Sequence, residues 1–195
     1  MTQDILILLA WTAISTVGFF LYLRDMLKGK TKPHMFTWLI WAIMGYIGFG
    51  IQVAYDAGIA SLVMLWFSIV PTFVFFYTLK SSQKDIALVD YFSLAGAFIA
   101  LSFWLFLDMA FISVLLLLTI DYLAYFPTFR KCYKKPFEET VILFVLVNFW
   151  YIASIITLDN LVFENYGYPL WLFIINTIFV SFVLIRRHQL KKIII

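Results

Sequence analysis

Seven long apolar stretches follow one another along the chain, separated by short polar segments. Each stretch is long enough for a membrane-spanning helix, which needs about 17–25 mostly apolar residues. The apolar residues form continuous blocks and do not alternate with polar ones. The pattern predicts an all-α membrane protein with seven transmembrane helices. The predicted spans are 5–23, 35–54, 60–79, 86–107, 110–129, 140–157 and 169–185.

The basic residues are confined to alternate connections. All fourteen Lys and Arg residues follow the first, third, fifth or seventh span. The intervening connections carry only acids. Because cytoplasmic loops are enriched in Lys and Arg, we expect the N-terminus outside and the C-terminus in the cytoplasm. The basic residues are Arg24, Lys28, Lys30, Lys32, Lys80, Lys84, Arg130, Lys131, Lys134, Lys135, Arg186, Arg187, Lys191 and Lys192; the acids are Asp56, Asp108, Asp159 and Glu164.

Composition agrees with a chain surrounded by lipid. It is 64% hydrophobic and 13% charged, about half the charge of an average soluble domain. The single Cys132 provides neither a disulfide framework nor a cysteine metal site. We expect the cell membrane as location and the lipid bilayer as partner, with no nucleic acid and no cofactor. The basic loops either fix topology alone or also recruit anionic lipid or a protein partner.

Two groups of three spans share one plan of charges and prolines. In each, the first helix ends in an arginine (Arg24, Arg130) and a proline follows in the basic loop (Pro33, Pro136). The second helix leads to an acidic connection, and the third ends in a basic residue. The interpretation is a 3+1+3 architecture, in which the fourth span links two repeats of equal orientation. The predicted units are residues 1–80, 81–108 and 109–195.

One segment carries a recognisable signature. Residues 121–131 read DYLAYFPTFRK, and a Lys-Pro pair (135–136) and a Glu-Glu pair (138–139) follow. This order of acid, Pro-Thr, basic residues, proline and acid resembles the PQ-loop signature, with Thr128 in place of the name-giving glutamine. Together with the 3+1+3 plan, it resembles the SWEET and PQ-loop transporter superfamily. The segment KPHMFTWLIW at 32–41 is similar to small bacterial members and to the PnuC family of vitamin-precursor uptake proteins. The resemblance implies transport of a small solute.

Polar side chains occur at similar depth in the last three spans. Counting from the basic ends at 1.5 Å per residue, Asp121, Asn148 and Asn176 lie about 12–15 Å into the membrane. The first three spans carry Ser15, Thr16, Trp38, Trp41 and Ser68 at corresponding levels. Polar groups at this depth usually face a bundle interior or a cavity. We therefore expect a solute site with a hydrogen-bonding wall and an aromatic wall, formed by Asp121, Asn148, Asn176, Trp38, Trp41 and Ser68.

Each of these residues also has a purely structural interpretation. The asparagines would link helices by hydrogen bonds, and the tryptophans would pack in the core or face lipid. Asp121 would bond to backbone, Tyr122 or Tyr125, and Asp90 would only cap the fourth helix. In the functional interpretation, Asp121 exchanges protons or binds the solute, because a carboxylate is costly in the bilayer.

Prolines inside two spans suggest points of bending. Pro127 and Pro71 each remove a backbone donor and weaken the helix one turn earlier. We expect Pro127 to be the hinge of an inner gate, and a static kink is the alternative. Pro33, Pro136 and Pro169 are expected at span starts.

Enzymatic function is the weakest class for this sequence. No catalytic fingerprint such as HExxH, GxSxG or a P-loop occurs. His34 and His188 lie in the flanks of spans, so we expect no metal site. The sequence thus favours a facilitative or proton-coupled carrier of a small polar organic solute (a sugar, an amino acid or a vitamin precursor). The alternative is a receptor or assembly factor of the same fold that transports nothing. A homo-oligomer is compatible with either.

Overall fold

The computed structural model describes residues 2–80, 86–106 and 110–193. This part of the chain is all-α, as predicted, and contains no strand. Predicted features at Lys84 and Asp108 lie outside the described residues. The helices are α1 (Thr2–Leu27), α2 (Met35–Ala54), α3 (Ile59–Lys80), α4 (Leu88–Phe106), α5 (Ala110–Lys134), α6 (Val141–Ile156) and α7 (Phe163–Ile193), and a 3₁₀ turn, η1 (Pro136–Glu138), precedes α6.

Each predicted span corresponds to one helix, and the largest differences are at the two ends of α7, which begins before and ends after the predicted span 169–185. The expectation that Pro169 begins the last span is wrong, because α7 begins at Phe163 and runs through the proline. A proline lacks the amide hydrogen that a helix interior requires, so the sequence favours a boundary there. The helix continues because the other backbone groups of its first turns are still bonded: the amides of Asn165 and Tyr166 donate to the carbonyl of Val162.

Three of the described helices are long and apolar enough to cross a membrane. The qualifying segments are Ile5–Leu27, Met35–Ala54 and Phe163–Lys191. Shorter apolar segments occur in α3, α4 and α6, namely Met64–Lys80, Leu88–Ile99 and Val141–Ile156. Many large apolar side chains point outward, among them Phe20 at 67% and Phe106 at 86% exposure. A surface of this kind indicates a membrane protein.

The helices pack in two equivalent sets. In the first set α3 packs against both α2 and α1, and in the second α7 packs against both α6 and α5. The two sets meet through reciprocal pairs, α1 with α6 and α2 with α5. Helix α4 lies at the side, mainly against α5. In each set, therefore, the third helix contacts the other two, and the first helix contacts the second helix of the opposite set.

Small residues allow the closest helix contacts, as is common where lipid provides no hydrophobic drive for association. A Cβ atom at Gly45 of α2 would overlap the Ser68 hydroxyl and lie 3.2 Å from Ser68 Cα in α3. A Cβ atom at Gly18 of α1 would lie 3.3 Å from Leu146 Cβ in α6. Beside this contact, Ser15 donates a hydrogen bond of 3.2 Å to the carbonyl of Leu146.

The contact at Gly45 yields a stability prediction. Gly45→Ala forces α2 and α3 apart and should destabilise the fold by about 1–3 kcal/mol, the usual range for overpacking. A lower melting temperature of the detergent-solubilised protein would show this. Gly50→Ala on the same helix is the matched control, because a Cβ atom there meets nothing within 4 Å. Equal melting temperatures for the two variants would contradict the close approach.

Candidate functional site

A central cavity of about 80 Å³ lies between the two three-helix sets. Side chains from every helix except α4 form its wall, so both sets contribute. Aromatic rings make up most of the surface. They include Phe19, Trp38, Trp41 and Phe67 from the first set and Tyr125, Phe144, Trp150 and Tyr168 from the second.

The aromatic wall is held by ring-to-ring contacts across the two sets. The Trp41 ring lies edge-on to Trp38 and Tyr125, with centroids 5.2 and 4.7 Å apart. Phe67 of α3 packs on Trp150 of α6 at 4.0 Å. Such pairs add about 0.5–1.5 kcal/mol each beyond the area they bury. The buried indole N–H of Trp150 has no hydrogen-bond partner among the described residues, so the wall retains an unused donor.

Asn176 supplies the amide of the cavity wall. Its Oδ1 accepts a hydrogen bond from the Tyr125 hydroxyl, and its Nδ2 donates to the carbonyl of Phe144 at 3.2 Å. These bonds join α5, α6 and α7 at the cavity. The side chain is 2% exposed and has a defined orientation.

Asp121 is fully buried directly behind this wall and does not line the cavity. Its Oδ2 accepts a hydrogen bond of 2.9 Å from the indole N–H of Trp171 in α7. Oδ1 has no hydrogen-bond partner in the described structure. The buried indole N–H of Trp41 in α2 makes no hydrogen bond among the described residues. The carboxyl group of Asp121 is thus bonded to one indole, that of α7 in its own three-helix set.

The structural alternatives considered for Asp121 did not include its actual partner. Tyr125 bonds to Asn176 instead, and Tyr122 is exposed. Tyr125, one helical turn after Asp121 on α5, lines the cavity. Protonation of this carboxyl therefore changes the electrostatic environment of the cavity wall without direct contact with a solute.

The remaining predicted residues lie in different places. Trp38, Trp41 and Pro71 line the cavity. Asn148 does not, because its Nδ2 donates to the Thr177 hydroxyl at 3.0 Å at the exposed edge between α6 and α7. A helix turns about 100° per residue, and on α6 the neighbouring Val147 faces the cavity instead. The expectation that Asp121, Asn148 and Asn176 form one polar wall is therefore wrong for Asn148, and Asp121 does not line the cavity either.

The hydroxyl-bearing residues of the first set bond within or between helices. Ser68 donates to the carbonyl of Met64 at 2.9 Å, and Thr16 donates to that of Thr12 at 2.7 Å. Neither Ser15 nor Ser68 is among the residues that line the cavity. The hydrogen-bonding capacity of the cavity thus comes mainly from the second set and from indoles.

Pro127 adjoins a hydrogen-bonded crossing of α2 and α5. The Thr128 hydroxyl donates to that of Thr37 at 3.0 Å, and Thr37 donates to the carbonyl of Ala124 at 2.7 Å. All these groups are buried. The part of α5 that Pro127 weakens is therefore hydrogen-bonded to α2, in the other three-helix set.

A buried ion pair closes the end of the bundle that carries the basic loops, here called the basic end. Lys131 of α5 and Glu139, after η1, have side chains only 3% and 1% exposed. The Lys131 ammonium also donates to the carbonyl of Lys32, in the α1–α2 loop, at 2.9 Å. Burial alone would lower the pKa of Lys131, but the Glu139 carboxylate outweighs this and raises it. Lys131 therefore stays charged and joins the two sets.

Further hydrogen bonds complete this closure. Thr31 of the first loop bonds to the Thr140 hydroxyl, which donates to Asp25 at 3.1 Å. Arg187 of α7 donates to the carbonyls of Pro136 and Glu139 at 2.9 and 2.6 Å. We call the whole network the basic-end latch. Its members are Asp25, Thr31, Lys32, Lys131, Glu138, Glu139, Thr140 and Arg187.

A second buried cluster attaches α4 to the two sets. The Asp90 carboxylate accepts from the backbone amide of Ala87 at 2.7 Å, which is the capping role considered for it. It also receives two hydrogen bonds from Arg130 of α5, at 3.0 and 2.7 Å, and contacts His34 Nε2 at 3.2 Å. Burial lowers the pKa of His34, while the Asp90 carboxylate acts in the opposite direction. Asp90 is therefore an anchor for Arg130 and His34 as well as a cap.

The latch leads to a labelling prediction at Cys132. This thiol is fully buried beside Lys131, and burial, with Glu139 nearby, raises its pKa to about 12. We expect slow reaction with maleimide at neutral pH. Glu139→Gln leaves Lys131 without its counter-ion, a loss of about 3–5 kcal/mol. If this opens the latch, labelling should accelerate about 100-fold or more.

Glu138→Gln is the matched control for this experiment. Its partner Lys32 is 37% exposed and Glu138 itself 28%, and such pairs contribute only about 0–1 kcal/mol. Hydrogen exchange of the amides at 136–140 reports opening independently of thiol chemistry. Equal rates for the two glutamine variants would refute the latch.

The chain matches no family model, no curated protein and no solved structure.

Proposed function

We propose that this protein is a membrane carrier of a small polar organic solute that works by alternating access. One observation supports the proposal above all. A cavity at the centre of the bundle has aromatic groups from both three-helix sets and an amide from the second set, and a buried polar latch lies at one end of the bundle. A binding site between two halves of a bundle is the usual arrangement in secondary transporters.

In this proposal all seven helices cross the membrane. The basic end lies in the cytoplasm and the N-terminus outside, following the charge distribution. The shortest described helix is α6, whose 16 residues span about 24 Å. It packs between α1 and α7, so neighbouring helices provide its contacts where it is shorter than the bilayer core.

The two sets are the moving parts of the proposed carrier, and α4 is the linker of a 3+1+3 plan. The reciprocal pairs α1–α6 and α2–α5 support a movement of one set against the other. Pro127 and Pro71 are the proposed bending points, because each interrupts the hydrogen bonds of a helix next to the cavity or the latch. Opening of the latch would then admit the solute from the cytoplasmic side.

The size of the cavity indicates that the present conformation is contracted. An engineered cavity of about 150 Å³ accommodates benzene, whereas this one has about 80 Å³. A ring-shaped solute therefore needs the sets to separate before it binds. Closure of the basic end by the latch agrees with a state between the two open forms.

The wall chemistry favours a planar or ring-shaped solute with hydrogen-bond acceptors. Aromatic faces stack on flat or apolar ring surfaces. The free indole N–H of Trp150 requires an acceptor, and the Asn176 amide offers both a donor and an acceptor once Tyr125 moves. Sugars, amino acids and vitamin precursors meet these requirements. The competing function, a receptor or assembly factor, requires no solute.

The first functional prediction compares two asparagines. Purified protein should be stabilised against heat by at least one member of a panel of sugars, amino acids and vitamin precursors. Asn176→Ala should abolish this shift because it removes the cavity amide. Asn148→Ala should keep it because Asn148 lies outside the cavity. No shift with any compound, together with a stable protein partner on pull-down, would favour the receptor or assembly role.

The second functional prediction concerns proton coupling through Asp121. Uptake into liposomes should depend on pH in the native protein, because protonation changes the bonding of this carboxyl to Trp171. Asp121→Asn keeps the shape of the side chain but cannot titrate, so the variant should transport with a flat pH profile. An unchanged pH profile would exclude a coupling role for Asp121.

A further inference from the structure

A second, much smaller cavity lies at the opposite end of the bundle, where the acidic connections are. It has about 10 Å³ and is formed by α2, α5 and α7. The polar residues in its wall are Gln52, Glu164 and Asn165, and Tyr168 and Pro169 complete the α7 side. This volume is close to that needed for one water molecule or one small ion.

Two amide oxygens at this cavity have no hydrogen-bond partner among the described residues. They are Oε1 of Gln52 and Oδ1 of Asn165, whose residues are 3% and 0% exposed. The orientation of the Asn165 amide is fixed, because its Nδ2 donates to the carbonyls of Tyr55 and Asn160 at 3.3 and 3.0 Å. The oxygen must therefore be the free end. Buried unpaired acceptors require an occupant such as water or an ion.

The backbone adds another oxygen at the same place. Pro169 has no amide hydrogen, so the carbonyl of Asn165, four residues earlier, lacks its helical partner. Glu164 contributes a carboxylate. The buried side-chain atoms of the cavity that have no partner among the described residues, Gln52 Oε1 and Asn165 Oδ1, are thus both oxygen acceptors.

The oxygen atoms at this cavity suit one of the two kinds of occupant better than the other. One water molecule donates only two hydrogen bonds, which is fewer than the oxygen acceptors at this cavity. A cation interacts favourably with every oxygen at once. Carbonyl and carboxylate oxygens are the ligands of hard cations, and one carboxylate balances a single positive charge. Interrupted membrane helices bind Na⁺ through freed carbonyls in the same manner.

We propose that this cavity binds a Na⁺ ion through Gln52, Asn165 and Glu164. The acidic side chains of Asp56 and Asp159 lie in the connections at the same end of the bundle but outside this cavity. Tyr168 lines both this cavity and the central one, so the ion contacts a residue of the solute site. The link to the solute rests on the proposed function, whereas binding of the ion does not.

Thermal unfolding of the purified full-length protein, without any solute, tests the site. Increasing NaCl replaces choline chloride at constant ionic strength, since choline is too large for a cavity of about 10 Å³. We expect a saturable rise of the melting temperature with Na⁺. Gln52→Leu should lose the rise, and Glu164→Gln should need about tenfold more Na⁺ or more. Asp56→Asn, an acidic residue outside the cavity, should respond as the native protein does.

Two results would overturn the proposal. One is an equal melting temperature in NaCl and choline chloride, which would mean that water alone fills the cavity. The other is a Na⁺ response that persists unchanged in both Gln52→Leu and Glu164→Gln. Because no solute is present, neither result bears on the carrier function. Conversely, a Na⁺ response that disappears in Gln52→Leu stands even if no solute is ever found.

Discussion

The buried pair of Lys131 and Glu139 is the interaction on which the packing of the basic end depends. Removing two charges from water costs several kcal/mol for each ion, and the attraction between them offsets this only if further hydrogen bonds are made. Here the ammonium also reaches the carbonyl of Lys32, and Arg187 bonds to the backbone of Glu139. The pair is therefore satisfied only while the first loop, α5, η1 and α7 are together. Separation of α5 from the segment after η1 leaves a buried charge unpaired, and separation of the first loop or of α7 removes hydrogen bonds that offset the burial of the pair.

The closed basic end and the aromatic cavity are connected through α5. This helix carries Lys131 in the latch, Tyr125 in the cavity wall and Asp121 behind it. Asp121 accepts its hydrogen bond from the Trp171 indole of α7, in its own set. A change of charge at this carboxyl therefore acts first on the pairing of α5 with α7. The position behind the wall explains how one group can affect the cavity without blocking it.

Sequence alone could predict the helices, because long apolar blocks leave few other structures open. The boundaries of α2 agree at both ends, and Asn176 lies at the cavity. The partners of buried polar groups were beyond prediction. Trp171 lies 50 residues from Asp121 and Arg130 lies 40 from Asp90, and hydrophobic periodicity does not say which helices are adjacent. In the sequence, Glu139 looks like an ordinary charged residue of a loop. Only the packing around η1 buries its carboxylate. The prediction for Asn148 was wrong because depth in the membrane fixes how far along the helix a side chain lies, but not the direction in which it points.

The length of α7 gives its proline a mechanical role. Eighteen residues of continuous helix separate Pro169 from Arg187, an arm of about 27 Å. A bend of about 10° at the proline displaces the far end of this arm by about 5 Å. That distance exceeds the range of a hydrogen bond, so Arg187 would leave η1 altogether. A small bend beside Gln52 would thus produce a large displacement at the opposite end of α7, enough to separate Arg187 from η1.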